Sequence, residues 1–340
     1  MATRDGTASI HRISLPMSAG SHSDSRTVNS FLLPGRQLTL VDAGMPSPES
    51  LRALEAGLAE RGVRLAEVEQ LVVSHAHPDH YGGAAAIVRA AGAAGRRVRV
   101  LAHPRAAAIL NDLPRWWQQA REHSRDVLRR AGAPARLLDG AGAPRPAERP
   151  PYLDAATTVA VDELLADGDV VETGAARWRV HYTPGHASTQ ICLHEPATQE
   201  LLSSDHLLRD VTANMVLEPP WPGEPAAHPI LDYLASLRRL QALPVARVWP
   251  GHGAAFEDAQ ATIRARIERC LERLEQAAAL VSGARKTAWE VAEAIYAGTP
   301  AAGSPRGLFQ VVAYLDALIA QGRVAATDED GIWRYHNTAA

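Results

Sequence analysis

The sequence predicts a mixed α/β fold with a smaller domain at its C-terminal end. Apolar runs of the β type alternate with amphipathic helical segments over the first 258 residues, as in proteins whose strands and helices pack in layers. From about residue 260 the pattern changes to helices followed by a hairpin signal. The chain has 340 residues, which exceeds one ordinary domain. We therefore expect one domain over residues 1–258 and a second over residues 259–340.

Strand and helix signals alternate in the first hundred residues. Strands are expected at 28–33 and 37–42, which Pro34-Gly35 separates. Ser47-Pro48 starts a helix, because serine is a good N-cap and proline suits the first helical position, and Gly62 ends it. The next expected elements are an apolar strand at 71–73, an alanine-rich helix after Gly83 and a strand at 97–101.

Residues 104–155 interrupt this alternation and predict an inserted helical segment. Ile109, Leu113, Trp116 and Trp117 favour a helix, whereas the Pro/Gly/Ala-rich stretch 140–151 favours a loop. Trp116 and Trp117 are candidates for a lid that faces the substrate. The alternative is that they pack the insertion onto the core.

Strand signals resume at residue 170, and a helical region follows them. The expected strands are 178–182, a hairpin of 190–194 with 201–205, and 245–249. Helices are then expected from Gln260, from the capping-box sequence Thr287-Ala288-Trp289-Glu290, and over 305–321. Runs at 323–326 and 332–335 flank an Asp-Glu-Asp-Gly turn. Helices followed by a hairpin predict a small winged-helix-like domain.

Composition narrows the classes of function. Lys and Arg total 35 against 38 Asp and Glu, a net charge of −3, which gives no support to a mainly electrostatic nucleic-acid or membrane role. Cys192 and Cys270 are the two cysteines, so we expect buried thiols rather than a disulfide framework. The N-terminal stretch lacks an apolar signal core, and no window reaches the ~18 apolar residues of a membrane span. We expect a soluble cytoplasmic protein.

The run Ser74-His75-Ala76-His77-Pro78-Asp79-His80 carries the strongest functional signal in the chain. It places three imidazoles and a carboxylate directly after an apolar strand. His75 and His77 are two residues apart, so their side chains leave an extended backbone on the same side. Asp79 and His80 follow a proline-marked turn and can face a second ion. Imidazole with carboxylate suits zinc, iron or manganese, and we expect zinc.

Three more candidate ligands follow apolar strands. His186 follows Thr183-Pro184-Gly185, Asp205 ends the run from Leu201, and His252 follows Pro250-Gly251. Strand ends on one rim of a sheet converge in space, and the glycine before each histidine lets the backbone bend close to a metal. With the first cluster they provide five histidines and two aspartates, enough for two ions.

This ordered set of motifs resembles that of the metallo-β-lactamase superfamily, namely His-x-His-x-Asp-His, a later Gly-His, an aspartate at a strand end and a final Gly-His. The resemblance covers about residues 10–258 and implies a four-layer αβ/βα sandwich. It implies that His75, His77 and His186 bind one metal, that Asp79, His80 and His252 bind the other, and that Asp205 bridges them. Asp42 matches an acidic residue near the metals and would orient a ligand. The implied reaction is attack by a metal-bridging hydroxide, with Asp79 and Asp205 as catalytic residues.

Several residues differ from those usual in particular branches of the superfamily, and these differences narrow the class of reaction. Aspartate at 205 differs from the cysteine usual in the common β-lactamases, and histidine at 77 differs from the glutamate of flavodiiron oxidoreductases. Glyoxalase II has the same ligands, but we find no matching basic set for glutathione in the C-terminal helices. The C-terminal part resembles the winged-helix extension of a β-lactamase-like group that includes ester or thioester hydrolases and an endoribonuclease.

We therefore expect a metal-dependent hydrolase of the thioesterase or esterase type. A lactonase and an endoribonuclease are the alternatives. The 305–321 helix carries only Arg306 and the acidic Asp316, and glutamates offset the arginines of the 260–275 helix, so nucleic acid is not the expected partner. The expected partner is a small acyl ester or thioester. The C-terminal part would pack on the catalytic domain, wall the cleft or mediate a homodimer.

The stretch 214–222 follows Asp205 and is the candidate wall of the substrate pocket. Asn214, Met215, Trp221 and Tyr233 are candidate contacts for an acyl or apolar group. Ordinary packing is the alternative for each of them. His206 is adjacent to Asp205, but adjacent residues of a strand point to opposite sides, so it is expected to face away from the metals.

Overall fold

The computed structural model describes residues 10–17, 26–140, 158–173, 176–210 and 213–338. Most of the loop expected at 140–151 lies outside these residues. The described elements form two large sheets, helices on the outer face of each sheet, and a C-terminal group of helices with a hairpin.

The first sheet has six strands in sequential order. They are β1 (His11–Pro16), β2 (Thr27–Leu33), β3 (Thr39–Val41), β4 (Gln70–Val73), β5 (Arg99–Ala102) and β6 (Glu163–Leu164). The pairs β1–β2 and β2–β3 are antiparallel, and the pairs from β3 to β6 are parallel. The parallel strands are joined by helical connections, as parallel pairing requires.

The second sheet has five strands in the order β11-β10-β9-β8-β7. They are β7 (Val170–Glu172), β8 (Arg177–Tyr182), β9 (Ile191–Glu195), β10 (Glu200–Ser204) and β11 (Arg247–Pro250). The expected β9–β10 hairpin is confirmed. Strand β11 pairs with β10 in parallel, which places the residues that follow both strands at the same edge of the sheet.

Three apolar clusters define the layers. The cluster between the sheets includes Phe31, Val72, Trp178 and Leu202, all buried. The first sheet packs on its other side against α1 (Pro48–Ala59), α3 (Ala84–Ala93) and α4 (Pro104–Asn111), and the second against α7 (Pro229–Gln241) and α8 (Ala259–Leu280). The result is the expected four-layer αβ/βα sandwich. Burial of these side chains is its main source of stability.

Local signals set the helix ends as expected. Ser47 caps α1 and accepts a hydrogen bond from the Ser50 nitrogen at 3.2 Å. A short helix, α2 (Pro78–Tyr81), follows His77, and a 3-10 turn covers Leu65–Glu67. The expected insertion is helical, with α5 (Leu113–Arg130) and α6 (Ala135–Gly140) after α4.

The C-terminal region consists of α8, α9 (Ala288–Ile295), α10 (Pro305–Ala320) and the hairpin of β12 (Val324–Glu329) with β13 (Ile332–Asn337). The capping box at Thr287 and Glu290 is present, with bonds of 2.7 and 3.1 Å. Helices α8 and α10 share one buried cluster with α7 of the sandwich. The order of elements is the expected one, whereas the winged-helix assignment and the boundary near residue 258 stay predictions.

Two further sequence expectations can be compared with this architecture. Both cysteines are buried and unbonded to each other, as expected. None of the helices in the described part of the chain is long and apolar enough to cross a membrane.

Candidate metal centre

The candidate ligands lie in segments that follow strands of both sheets. His75 and His77 follow β4 of the first sheet, His186 follows β8, Asp205 follows β10 and His252 follows β11. These strand ends meet at one edge of the sandwich. The rigid strands therefore fix the starting point of each ligand loop, as the motif spacing suggested.

A first group of ligands consists of three imidazoles. The Nε2 atoms of His75 and His186 each lie 2.9 Å from Nδ1 of His77. The three ligand atoms fall within 4.8 Å of one another, which makes them a group able to hold a metal ion. The sequence separates His77 from His186 by 109 positions, so the fold itself brings them together.

A second group combines two imidazoles with a carboxylate. Oδ2 of Asp79 lies 3.7 Å from Nε2 of His80 and 3.4 Å from Nε2 of His252. These three residues also form a group able to hold an ion. Helix α2 carries Asp79 and His80, and the turn after β11 carries His252, so the group joins the two sheets.

Asp205 lies between the two groups. Its Oδ1 is 3.4 Å from Nε2 of His80, and its Oδ2 is 3.3 Å from Nε2 of His252 and 3.6 Å from Nε2 of His186. His75, His80 and Asp205 form a third possible ligand group. The carboxylate is therefore within reach of both sets, which is the position that a bridging ligand needs.

Outer hydrogen bonds orient three of the histidines. Nδ1 of His80 lies 2.7 Å from Oδ2 of Asp42, Nδ1 of His186 lies 2.6 Å from the carbonyl oxygen of Asn214, and Nδ1 of His252 lies 2.7 Å from that of Thr27. These oxygens can only accept, so each Nδ1 carries a proton and Nε2 is the ring atom left to bind a metal. Such outer partners fix ring orientation and tautomer at metal sites.

Asp42 lies beside the candidate ligand His80 and is not part of the possible ligand groups. It is buried and also accepts hydrogen bonds from the nitrogen and the hydroxyl of Ser74, at 2.8 and 2.7 Å. Its φ of 61° lies in the left-handed region, which aspartate tolerates better than most residues. The aspartate thus ties the end of β3 to the ligand loop.

Sequence reasoning missed two serines beside the ligands. The hydroxyls of Ser74 and Ser204 lie 2.7 Å apart, and they lie 3.1 and 3.3 Å from Nδ1 of His75. Both are buried. Each precedes a candidate ligand in the sequence, a signal that could have identified them. They lie beside the outer ring nitrogen of His75 and help to orient that ring.

The electrostatics of the two groups differ. Burial, with the neighbouring His186 acting in the same direction, lowers the pKa of His77 to about 3. Burial also lowers the pKa of His75 well below its usual value, with His80 and His77 adding to the effect. The first group is therefore made of neutral imidazoles, the protonation state that binds metals.

The second group is held as paired charges. Burial acts to lower the pKa of His252, but the Asp205 carboxylate outweighs it and raises that pKa to about 10. Burial acts to raise the pKa of Asp79, but His80 and His252 outweigh it and lower that pKa to about 2. Both carboxylates are thus ionised at neutral pH, and a bound cation would replace protons on these imidazoles.

Two buried atoms support a metal at this position. Nε2 of His80 and Oδ1 of Asp205 are buried and have no hydrogen-bond partner among the described residues, although they are 3.4 Å apart. Unpaired buried polar atoms are costly unless a ligand or ion satisfies them. The nitrogen and oxygen donors here suit a divalent transition ion. The residues present therefore fit the metal that the resemblance implies.

Two glycines allow the close approach that the sequence suggested. A Cβ on Gly251 would lie 2.3 Å from Oδ1 of Asp205 and 2.9 Å from Cε1 of His80. A Cβ on Gly185 would lie 2.5 Å from Cβ of Tyr233, and the φ of Gly185 is 143°. Each position therefore requires glycine. At Gly251 the reason is that two candidate ligands lie against the backbone.

The candidate substrate residues fall into two sets, and the first consists of three tryptophans. Trp116 stacks on Trp221 with ring centroids 5.2 Å apart, and Nε1 of Trp117 lies 3.2 Å from the hydroxyl of Tyr81. All three tryptophans are partly buried against the core of the first sheet. Contact between the insertion and the 214–222 stretch is therefore a feature of the structure, whereas a lid function stays a prediction.

Met215 and Tyr233 belong to the second set. Both are buried in the cluster beneath the second sheet, where they pack the core. Asn214 is partly buried and supports His186 through its carbonyl. His206 is buried with its ring 4.9 Å from that of Tyr233 and is absent from the possible ligand groups. Substrate contacts by the other residues stay predictions.

A four-layer sandwich with this set of histidines and aspartates at one edge is typical of one class of metal-dependent hydrolases. The family model of the metallo-β-lactamase superfamily matches residues 24–252. The chain belongs to this superfamily.

Relatives agree with this assignment. The chain is 28% identical over 266 residues to the "Probable metallo-hydrolase YqjP" of Bacillus subtilis, over 78% of this chain and 79% of that protein. It is 25% identical over 139 residues to an "Atrochrysone carboxyl ACP thioesterase" of Aspergillus fumigatus, over 41% of this chain and 40% of that one.

Solved structures extend the similarity to the C-terminal region. A metallo-beta-lactamase family protein of Thermus thermophilus is 25% identical with a TM-score of 0.76, covering 97% of this chain and 98% of its own. A beta-lactamase domain protein of Burkholderia ambifaria is 23% identical with a TM-score of 0.73, covering 99% and 97%. The fold is therefore shared along nearly the whole chain.

Proposed function

We propose that this protein is a dinuclear metal-dependent hydrolase that cleaves an ester or thioester bond. The observation that carries the proposal is the position of Asp205, whose two carboxylate oxygens lie 3.3–3.6 Å from nitrogens of both ligand groups. One carboxylate between two sets of donors is the arrangement expected of a two-ion site. Zinc is the ion we propose, because imidazole and carboxylate donors suit it.

The metals would supply Lewis acidity and a water of lowered pKa when they are bound. The chain's own residues hold the geometry for this chemistry. Asp79 is ionised and is the more exposed of the two carboxylates, with 16% of its side chain accessible against 9% for Asp205. It can accept a hydrogen bond from a water at the mouth of the site and orient that water for attack.

A side-chain nucleophile is not part of the proposal. Cys192 is buried and burial raises the pKa of its thiol to about 12, so it is uncharged and inaccessible. Ser74 and Ser204 are buried and hydrogen-bonded to each other. Ser74 also donates to Asp42, and both hydroxyls lie beside Nδ1 of His75, so they hold the ligand loop rather than attack a substrate. Direct attack by water is the mechanism that these residues favour.

The choice of ester or thioester rests on two supports. Asp205 presents oxygen donors where the common β-lactamases usually have a cysteine, and a relative named as an ACP thioesterase is similar to part of the chain. The arginines of α8 are offset in part by glutamates, as with Arg269 and Glu272 at 3.4 Å, which does not favour a nucleic-acid surface. A small acyl ester or thioester is the partner we propose. The homodimer and the cytoplasmic location stay predictions.

Metal analysis and a substrate panel test the proposal. Purified protein supplied with zinc is expected to hold about two ions per chain, and Asp205→Ala is expected to lower this number. Acyl-CoA, S-acylglutathione, lactone, nitrocefin and RNA are then compared, with Asp79→Ala as the inactive variant and the exposed Asp258→Ala as the control. Cleavage of RNA that depends on Asp79, without thioester hydrolysis, would refute the proposed function.

A further inference from the structure

The segment 186–191, which we call the His186 turn, carries one candidate ligand and also contacts the ligand motif of the other sheet. It follows β8 and ends at the first residue of β9. The backbone nitrogen of Ile191 donates to the carbonyl oxygen of Ser74 at 2.9 Å. The backbone nitrogen of Ala76 donates to Oγ1 of Thr189 at 3.0 Å. Two hydrogen bonds therefore hold the ligand motif at the points before and after its first histidine.

The bond between Thr189 and Ala76 joins distant parts of the sequence in a buried place. Both residues are buried, and 113 positions separate them. Ala76 lies between His75 and His77, two members of the first ligand group. The peptide plane that contains the N–H of Ala76 also contains the Cα atom of His75. Anchoring this N–H therefore fixes the point from which the His75 side chain begins.

The acceptor on Thr189 is held firmly, because the residue before it has three polar contacts. The nitrogen of Ser188 donates to Oε2 of Glu218 at 3.2 Å. The carbonyl oxygen of Ser188 accepts from the hydroxyl of Tyr182, and its hydroxyl oxygen accepts from Nε1 of Trp221, both at 2.9 Å. These contacts leave the His186 turn little freedom to follow a shift of the ligand motif.

The geometry of the first ligand group depends on this turn. The Nε2 atoms of His75 and His186 each lie 2.9 Å from Nδ1 of His77. His186 belongs to the turn itself, whereas His75 is tied to the turn through the bond from Ala76 to Thr189. The turn thus sets the separation of ligands that follow strands of different sheets.

We infer that Thr189 is a positioning residue of the metal centre, whose hydroxyl holds the ligand motif so that its imidazoles meet His186 around one ion. The inference rests on the metal site of the proposed function and not on the choice of ester or thioester. Thr189 is not part of the possible ligand groups, so it acts through the backbone beside His75. Sequence analysis did not single out Thr189, because its pairing with Ala76 depends on how the two sheets pack.

Two substitutions of Thr189 separate the effect of its hydroxyl from that of its shape. Valine has nearly the same shape but cannot accept the bond from Ala76, whereas serine keeps the hydroxyl and loses a methyl group. Dialysis against a graded series of chelator concentrations measures the zinc that each protein retains. Thr189→Val is expected to lose one ion at a chelator concentration about tenfold lower than the wild type, as for loss of an outer partner. Thr189→Ser is expected to behave as the wild type.

Thr39→Val is the matched control, because it makes the same chemical change at another buried position. Oγ1 of Thr39 donates to the carbonyl oxygen of Gln37 at 3.1 Å and accepts from Nε2 of Gln70 at 3.2 Å. These contacts lie where β3 and β4 begin, away from the ligand motif that follows the end of β4. We expect a lower melting temperature with unchanged zinc retention. An equal loss of zinc from the two valine variants would indicate general destabilisation and would overturn the inference.

Cobalt(II) bound in place of zinc provides a readout that general destabilisation does not move. Its visible absorption changes with the geometry of its ligands. We therefore expect an altered spectrum for Thr189→Val saturated with cobalt, and the wild-type spectrum for Thr189→Ser and Thr39→Val. The wild-type spectrum in saturated Thr189→Val would overturn the inference.

The outcomes separate this inference from the proposed function. Zinc retention that depends on the Thr189 hydroxyl, in a protein that hydrolyses neither esters nor thioesters, would support the inference and contradict the proposed function. Hydrolysis by a protein whose Thr189→Val variant retains zinc as the wild type does would overturn the inference and leave the proposed function intact. A wild-type protein that binds no zinc would overturn both.

Discussion

Oε1 of Gln310 accepts a hydrogen bond from the backbone nitrogen of Met215 at 3.0 Å, although 95 positions separate the two residues in the sequence. Gln310 belongs to α10 of the C-terminal region, and Met215 follows the residue whose carbonyl holds His186. The nitrogen of Val216 also donates to the carbonyl oxygen of His186 at 3.1 Å. The C-terminal region therefore supports a metal ligand through a short chain of hydrogen bonds.

Gln310→Leu is expected to weaken the metal centre. Leucine keeps much of the side-chain volume but leaves the buried nitrogen of Met215 without an acceptor, which costs about 1–3 kcal/mol. We expect a lower melting temperature and a lower affinity for the ion held by His75, His77 and His186, measured by competition with a chelator. Gln310→Glu is the control, because its carboxylate oxygen still accepts. Equal zinc affinity in the leucine and glutamate variants would contradict this coupling.

The sequence was sufficient to identify the candidate ligands and insufficient to identify the residues that hold them in place. His75, His77, Asp79 and His80 lie within one short motif, and such a cluster directly after a strand is a specific signal of a metal site. His252 was identifiable from its own Pro-Gly-His context. Its partner was not, because the Thr27 carbonyl is 225 positions away. That contact depends on how the two sheets pack, which local patterns do not encode.

The same distinction applies to the fold. The helix ends at Ser47 and Thr287 followed from capping chemistry, which is local. The two-residue strand β6 and the edge strand β1 were not expected, because their pairing depends on neighbours rather than on a strong apolar run.

Asp42→Asn is expected to impair the second ion without unfolding the protein. Asparagine tolerates the left-handed φ of 61° at this position, and its amide oxygen can still accept from Ser74. Its amide nitrogen cannot accept the proton on Nδ1 of His80, so that ring would favour the tautomer whose Nε2 is protonated and cannot bind metal. Loss of such an outer partner costs about 10–100-fold in metal affinity.

The measurement for Asp42 is zinc content by mass spectrometry after dialysis against a graded series of chelator concentrations. We expect the variant to lose one ion at a chelator concentration that leaves the wild type fully loaded. Asp258→Asn makes the same chemical change at an exposed position and is expected to behave as the wild type. An Asp42→Asn protein that keeps both ions equally well would show that Asp42 does not determine the tautomer of His80.

Gly251→Ala is expected to abolish tight metal binding. The added Cβ would lie 2.3 Å from Oδ1 of Asp205 and 2.9 Å from Cε1 of His80, so at least one ligand must move. Gly92→Ala is the matched control, because Gly92 lies in the helix α3 with nothing within 4 Å of an added Cβ. Alanine is favoured there by up to about 1 kcal/mol. Zinc content and melting temperature of both variants test the difference, and similar zinc content would contradict the expectation.

His103 predicts a pH dependence of stability that is separate from the metal ligands. Its ring stacks on that of Tyr182 with centroids 4.1 Å apart, and its Nδ1 accepts from the nitrogen of Arg105 at 3.3 Å, which caps α4. Burial, with a smaller effect of Arg105, lowers the pKa of His103 to about 4. In the unfolded chain the pKa is about 6.5. The folded protein therefore holds this ring neutral in a range where the unfolded chain binds a proton.

The contribution of His103 to the free energy of unfolding is fully present above about pH 6.5 and is lost as the pH falls toward 4. Between pH 7 and 5 we expect a loss of about 1–2 kcal/mol from this residue, after allowance for solvent screening. His103→Asn keeps a capping oxygen and cannot titrate, so its free energy of unfolding should fall less over this range. Urea unfolding at pH 7 and pH 5 measures the difference between the two proteins. Parallel losses in wild type and variant would show that protonation of His103 does not contribute.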